Sequence, residues 1–137
     1  IQSSCKDARF NVEDTSKEDF FKEDLKNGDY EVALFAWSGS GLVATGQNIM
    51  GTGRPQNYGK YSNPTVDEAW NKITNTLDRQ EQIEQLKVIE KEAWDTLFNI
   101  PLYSHPAVVA WKNKVKNVRP TATQVTVSWN AYQWQVK

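Results

Sequence analysis

The sequence predicts an α/β fold, α+β by content, and three observations carry that reading. Residues 32–37, Val-Ala-Leu-Phe-Ala-Trp, form a continuous apolar run that is short enough for a strand and followed closely by glycine. Such a run reads as a strand buried on both faces. A short alternating stretch and a helical segment precede it, which together make a βαβ unit. Two further capped helices follow, and the chain ends in stretches that suit strands.

Taken in order, Phe10-Asn11-Val12-Glu13 alternates and predicts a short strand. Thr15 and Glu18 stand at capping-box spacing before a helix whose apolar face is Phe20, Phe21 and Leu25. Asn27-Gly28 supplies the left-handed stop. Residues 30–37 form the buried strand, so strand, helix and strand fill about 28 residues. The crossover is expected to be right-handed, with the two strands parallel.

Residues 38–63 hold six of the seven glycines and form a loop long enough to be functional. Asn63 as N-cap and Pro64 at the first helical position open a second helix with Asp67 and Glu68 in its first turns. Its inward stripe is Val66, Trp70, Ile73 and Leu77. Asp78-Arg79-Gln80-Glu81 opens a third helix, with Ile83, Leu86, Ile89 or Glu90, Ala93 and Leu97 inward and a stop before Pro101. Beyond it residues 100–106 are extended, and residues 107–111 and 124–129 predict strands with few apolar partners close in sequence.

Composition narrows the function. At 137 residues the chain is long enough for one domain with a core, and its net charge is −1. Lys and Arg interspersed with Asp and Glu leave no electrostatic footprint for nucleic acid and no polybasic membrane patch. No apolar run reaches the roughly 20 residues of a transmembrane helix. Ile1-Gln2-Ser3-Ser4 has neither the charged nor the apolar region of a signal peptide. One cysteine, Cys5, excludes an internal disulfide and a cysteine-cluster metal site, and reads as a small, partly buried hydrophobe. Six Trp, five Tyr and five Phe are a heavy aromatic load, most of it needed for core.

Candidate chemistry is sparse. Gly39-Ser40-Gly41-Leu42-Val43-Ala44 matches G-x-G-x-x-A, but a dinucleotide site needs a helix directly after it and an acid about 20 positions on. Glycines and polar residues oppose that helix, and the next acid is Asp67. Gly51-Thr52-Gly53-Arg54 lacks the end of a P-loop. His105 is the single histidine, with no nucleophile placed near it. Ser38 and Ser40 are in no nucleophile elbow, and metal-ligand spacing does not occur. The sequence therefore predicts no catalytic residue, no metal and no cofactor: a binding protein, not an enzyme.

Recognition is what remains. From Val32 to Val66 there is no carboxylate, in a chain that is 24% charged. A strand opening onto a neutral polar loop is where α/β proteins place a cleft. Trp37, Ser38, Gly39 and Ser40 are the candidate ligand contacts. Core packing is the alternative for Trp37, and turn chemistry for Ser40. Gln47, Asn48 and Asn57 read as solvated loop residues, and Tyr58 and Tyr61 as side chains that pack the loop down.

Residues 27–39, Asn-Gly-Asp-Tyr-Glu-Val-Ala-Leu-Phe-Ala-Trp-Ser-Gly, resemble the family 5 extracellular solute-binding proteins, the oligopeptide and dipeptide receptors of bacterial ABC importers. The resemblance continues through residues 57–64 and Val66-Asp67, where the family has Y-S-N-P-x-[VF]-D. It extends to the long helix ending in Ile100-Pro101-Leu102, and so covers nearly the whole chain. It implies a lobe fragment of the periplasmic-binding-protein-like type II fold, comprising a βαβ unit, two helices and C-terminal strands. Residues 1–106 would belong to the second lobe, and residues 107–137 would return to a first lobe absent from this chain. The implied fragment lacks its signal and lipid-anchor cysteine. Its parent would be extracellular and lipid-anchored at the cell surface, or periplasmic. The implied partners are a peptide or other small-molecule ligand, held between lobes that close on a hinge, and the ABC permease subunits. Peptide receptors of the family commonly carry Asp three residues after this Trp, pairing with the ligand ammonium; here that position is Ser40. The alternatives are a secreted glycan-binding module or hydrolase domain using aromatic platforms, and a purely structural interaction domain.

Overall fold

The computed structural model describes residues 1–39, 42–106, 108–121 and 126–137. It divides into two compact units, Ile1–Leu34 and Phe35–Lys137.

In the first unit, α1 spans Gln2–Lys6 and α2 spans Asp24–Asn27. Gly28 closes α2 in the left-handed conformation expected of it (φ 83°), its N–H donating to the Asp24 carbonyl at 2.8 Å. The longer helix expected from Thr15 does not form. The Asp14 carboxylate accepts from both the Ser16 N–H (3.0 Å) and the Ser16 hydroxyl. This Asx-type turn competes with a helix N-terminus, and the two Ser16 hydrogen bonds hold the Asp14 carboxyl below its usual range. Residues 18–23 follow as turns. Leu25 is buried, Phe20 meets Phe21 and Tyr30 edge-on, and Lys17 pairs with Asp24 at 2.8 Å.

The βαβ expectation is corrected. Neither residues 10–13 nor residues 30–37 form a strand. Phe10, Val32 and Leu34 are 69%, 88% and 68% exposed, so the run is not buried on both faces. The physical reason lies in pairing. A strand satisfies its backbone only through a neighbour's ladder, and among the described residues the one ladder lies elsewhere.

The second unit holds the core. A 3₁₀ turn at Val43–Gly46 leads into α3 (Gln47–Met50), so the glycine-rich segment is partly helical. The helix α4 (Pro64–Asn75) starts as the sequence predicts, with the Asn63 side chain accepting from the N–H groups of Thr65 and Val66. The next helix, α5 (Arg79–Asp95), is capped by Asp78, which accepts from Gln80 and Glu81. Its capping box closes through an intermediary: Asp78 N–H donates to the Thr76 hydroxyl, which donates to Glu81.

Val66, Ala69, Trp70 and Ile73 of α4 pack with Ile89 of α5 and with Tyr61, and Leu86 and Phe98 cover the edges. Leu77 and Leu97 are corrections to the expected stripes. Leu77 is fully exposed because α4 ends at Asn75 and Thr76 is extended. Leu97 is 68% exposed because it lies past α5 with a positive φ of 52°. Gly46 faces the Trp70 ring, where an added Cβ would come within 2.5 Å of its Cη2. Large side chains of the core thus press directly on backbone.

The C-terminal strands are shorter and placed differently from the expected ones. Val115–Lys116 (β1) pairs antiparallel with Gln135–Val136 (β2), in the register Val115 to Val136. Residues 108–111 carry no strand, and Ser128–Gln133 is a 3₁₀ segment. Ala107 and residues 122–125 lie outside the described residues. Asn130, fully buried, organises this end. Its Nδ2 donates to the Asn117 carbonyl at 2.7 Å, and its Oδ1 accepts from the Trp134 indole at 3.2 Å. A buried amide bonded on both sides fixes a turn that apolar patterning does not reveal.

Candidate functional site

The site is built on the loop that follows Trp37, and Asn57 shapes that loop. Its side chain is buried, donating to the carbonyls of Gly51 (2.9 Å) and Tyr61 (2.7 Å) and accepting from the Tyr61 N–H (2.9 Å). Three bonds from one amide close residues 51–61 into a fixed turn, so Asn57 is not the solvated residue the sequence suggests. Asp67, on the first turn of α4, accepts from Thr52 N–H at 2.8 Å and ties the loop to the helix. Asn48 donates to Gln56 across the loop at 3.2 Å. Tyr61 is buried against Phe98, with ring centroids 4.3 Å apart, as a loop-packing tyrosine should be.

Trp37 stands at the edge of this framework with 43% of its surface exposed. Tyr58 stacks on it almost parallel (6.0 Å, 6°), and Phe35 meets it edge-on at 5.4 Å. Offset stacked and edge-to-face pairs are the favoured aromatic geometries, so the indole is held while part of it faces solvent. Ser38 and Gly39 follow it, both exposed. A Cβ on Gly39 would meet no heavy atom within 4 Å, so packing alone does not demand glycine there. Ser40 lies outside the described residues.

Trp37 also lines an open depression of about 400 Å³. Ile49 and Met50 of α3 and Trp70 of α4 form part of its wall, and Leu86, Ile89 and Trp94 of α5 form another. A volume of this order suits a small ligand. Sequence reading missed the contribution of α5. The available signal was Glu90 and Trp94, one helical turn apart on the same face. The Trp70 indole N–H is buried with no hydrogen-bond partner among the described residues.

His105 is exposed and meets Tyr103 edge-on at 4.8 Å. Among the described residues, no group of three or more His, Cys, Asp or Glu side chains stands close enough to hold a metal ion. No helix among them is long and apolar enough to cross a membrane. Glu68 and Glu84 have carboxyl groups held below the usual range, each by a hydrogen bond from a lysine on its own helix, Lys72 and Lys87. Those shifts come from exposed ion pairs and mark helix surface.

No protein-family model matches the chain, and no solved structure matches it significantly. Among curated proteins it is similar to the oligopeptide-binding protein OppA of Mycobacterium bovis and to that of two strains of Mycobacterium tuberculosis. In each case 24% of 103 aligned residues are identical. The aligned residues are 74% of this chain and 17% of each relative. These relatives are binding proteins, and the chain stands in a distant solute-binding relationship to them.

Proposed function

We propose that this chain is a segment of the substrate-binding component of an ABC importer, binding a peptide or similar small solute and delivering it to the permease. The observation that carries the reading is Trp37, a half-exposed indole clamped by Tyr58 and Phe35 beside an apolar depression. A rigid aromatic surface of this kind offers contact area at low ordering cost. The distant likeness to oligopeptide-binding proteins supports the same reading. Trp37, Ser38, Gly39 and Ser40 are the proposed ligand contacts. Residues 1–106 belong in this reading to the second lobe of a two-lobed, cell-surface or periplasmic receptor, and residues 107–137 return to the first.

Calorimetric titration of the full-length protein with peptide and sugar pools tests this. Peptides are expected to bind, with Trp37→Ala weakening them roughly tenfold or more. Because Ser40 supplies no charge, Ser40→Asp should strengthen binding of free-amine peptides over their acetylated forms. Binding of sugars alone overturns the reading in favour of a glycan-binding module.

A further inference from the structure

The depression beside Trp37 is apolar along most of its wall, and Glu90 is the one ionisable side chain among the described residues lining it. The two lysines nearest Glu90 along α5 are engaged elsewhere: Lys87 pairs with Glu84 at 2.9 Å, and Lys91 pairs with Asp95. The Glu90 side chain is exposed and makes no ion pair or hydrogen bond among the described residues. Trp94, one turn further along, is 46% exposed and lines the same depression, as does Trp37.

An exposed carboxylate without a partner among the described residues, lining the same depression as two indoles, gives that wall negative charge in two forms. One is the oxygen pair itself, and the other is the electron-rich ring face that attracts cations. Hydrocarbon from Ile49, Met50 and Leu86 fills the remainder of the wall. A neutral ligand would leave the carboxylate unused, and an anion would be repelled by it. We infer that this depression binds a small organic cation with an apolar body, its ammonium group on the Glu90 carboxylate and its hydrocarbon or ring part against Trp37 and Trp94. The inference rests on the ligand-binding reading above and names the ligand chemistry that its Trp37 wall selects. It also relocates the charge: the segment 32–66 has no acid, and a helix distant in sequence provides one.

Phenethylammonium and its uncharged counterpart 2-phenylethanol test this, titrated into the full-length protein and followed by tryptophan fluorescence and ligand-observed NMR. Phenethylammonium should bind more tightly by roughly five- to tenfold, since a charge-assisted contact at a partly exposed site is worth that much. Glu90→Gln should abolish the preference while leaving 2-phenylethanol within about twofold, as an uncharged isostere removes only the ionic contact. Glu84→Gln, whose carboxylate is paired with Lys87 outside the depression, should leave the preference intact. Equal binding of the two probes, no binding of either, or a preference that survives Glu90→Gln overturns the inference. If any of those results accompanies binding of the peptide pool, the importer reading stands without the cation site. A Glu90-dependent preference without peptide binding overturns the importer reading instead.

Discussion

Two stretches of this chain send their apolar side chains into opposite environments, and the less apolar of the two is the one that is buried. Residues 64–75 bury Val66, Ala69, Trp70 and Ile73 almost completely, whereas residues 32–37 leave Val32 88% and Leu34 68% exposed. The difference lies in where each segment finds its hydrogen bonds. The helix α4 satisfies its backbone internally and needs only Asn63 to start it, so its apolar face is free to be pressed on α5. The extended run has no internal bonds to make. Its side chains can be buried only after another strand has accepted its backbone, and among the described residues none does. Local order makes one apolar face usable, and its absence strands the other.

The largest test of this contrast is Trp70→Ala, which should cost about 3–5 kcal/mol in chemical denaturation because the ring fills the core between α4, Gly46 and α5. A loss below about 1 kcal/mol would mean the core is not where the packing places it. Next comes Asn57→Ala, expected to cost about 2 kcal/mol, since it orphans the carbonyls of Gly51 and Tyr61. Hydrogen exchange of the Tyr61 amide should accelerate in the same variant, and an unchanged rate would sink the role given to Asn57. Removing a cap is smaller. Asn63→Ala and Asp78→Ala should each cost about 1 kcal/mol, read from the shift in denaturation midpoint. The smallest effect is the most discriminating: Val32→Ser should change stability by less than about 0.5 kcal/mol, as surface substitutions do. A cost several times larger would restore the buried strand that the sequence alone predicts.

The same contrast explains what could be read in the sequence. Asn63-Pro64 and Asp78 announce helices through chemistry within four residues, and both helices begin there. Their stripes are legible as far as the helices run. Leu77 and Leu97 fail only because periodicity says nothing about where a helix stops. Residues 30–37 depart from the expected strand because an apolar run specifies a need for partners and not their presence. Asn57 and Asn130 were invisible for another reason, as a buried amide bonded to distant carbonyls looks in sequence like any polar loop residue. Part of the candidate site was legible, with Trp37 placed at an edge and half exposed. Glu90 was not, because it lies on a helix far along the chain from Trp37, and only the fold brings it to the same depression.

The exposed run has a consequence for handling the protein. Six consecutive apolar residues with neither charge nor proline, two of them aromatic and most of them largely facing water, match the pattern that seeds stacked cross-β assemblies. In this chain the same residues lead into the Trp37 wall. A lysine or proline gatekeeper at position 32 would protect concentrated solutions against self-association, at a position where the structure shows no packing to lose.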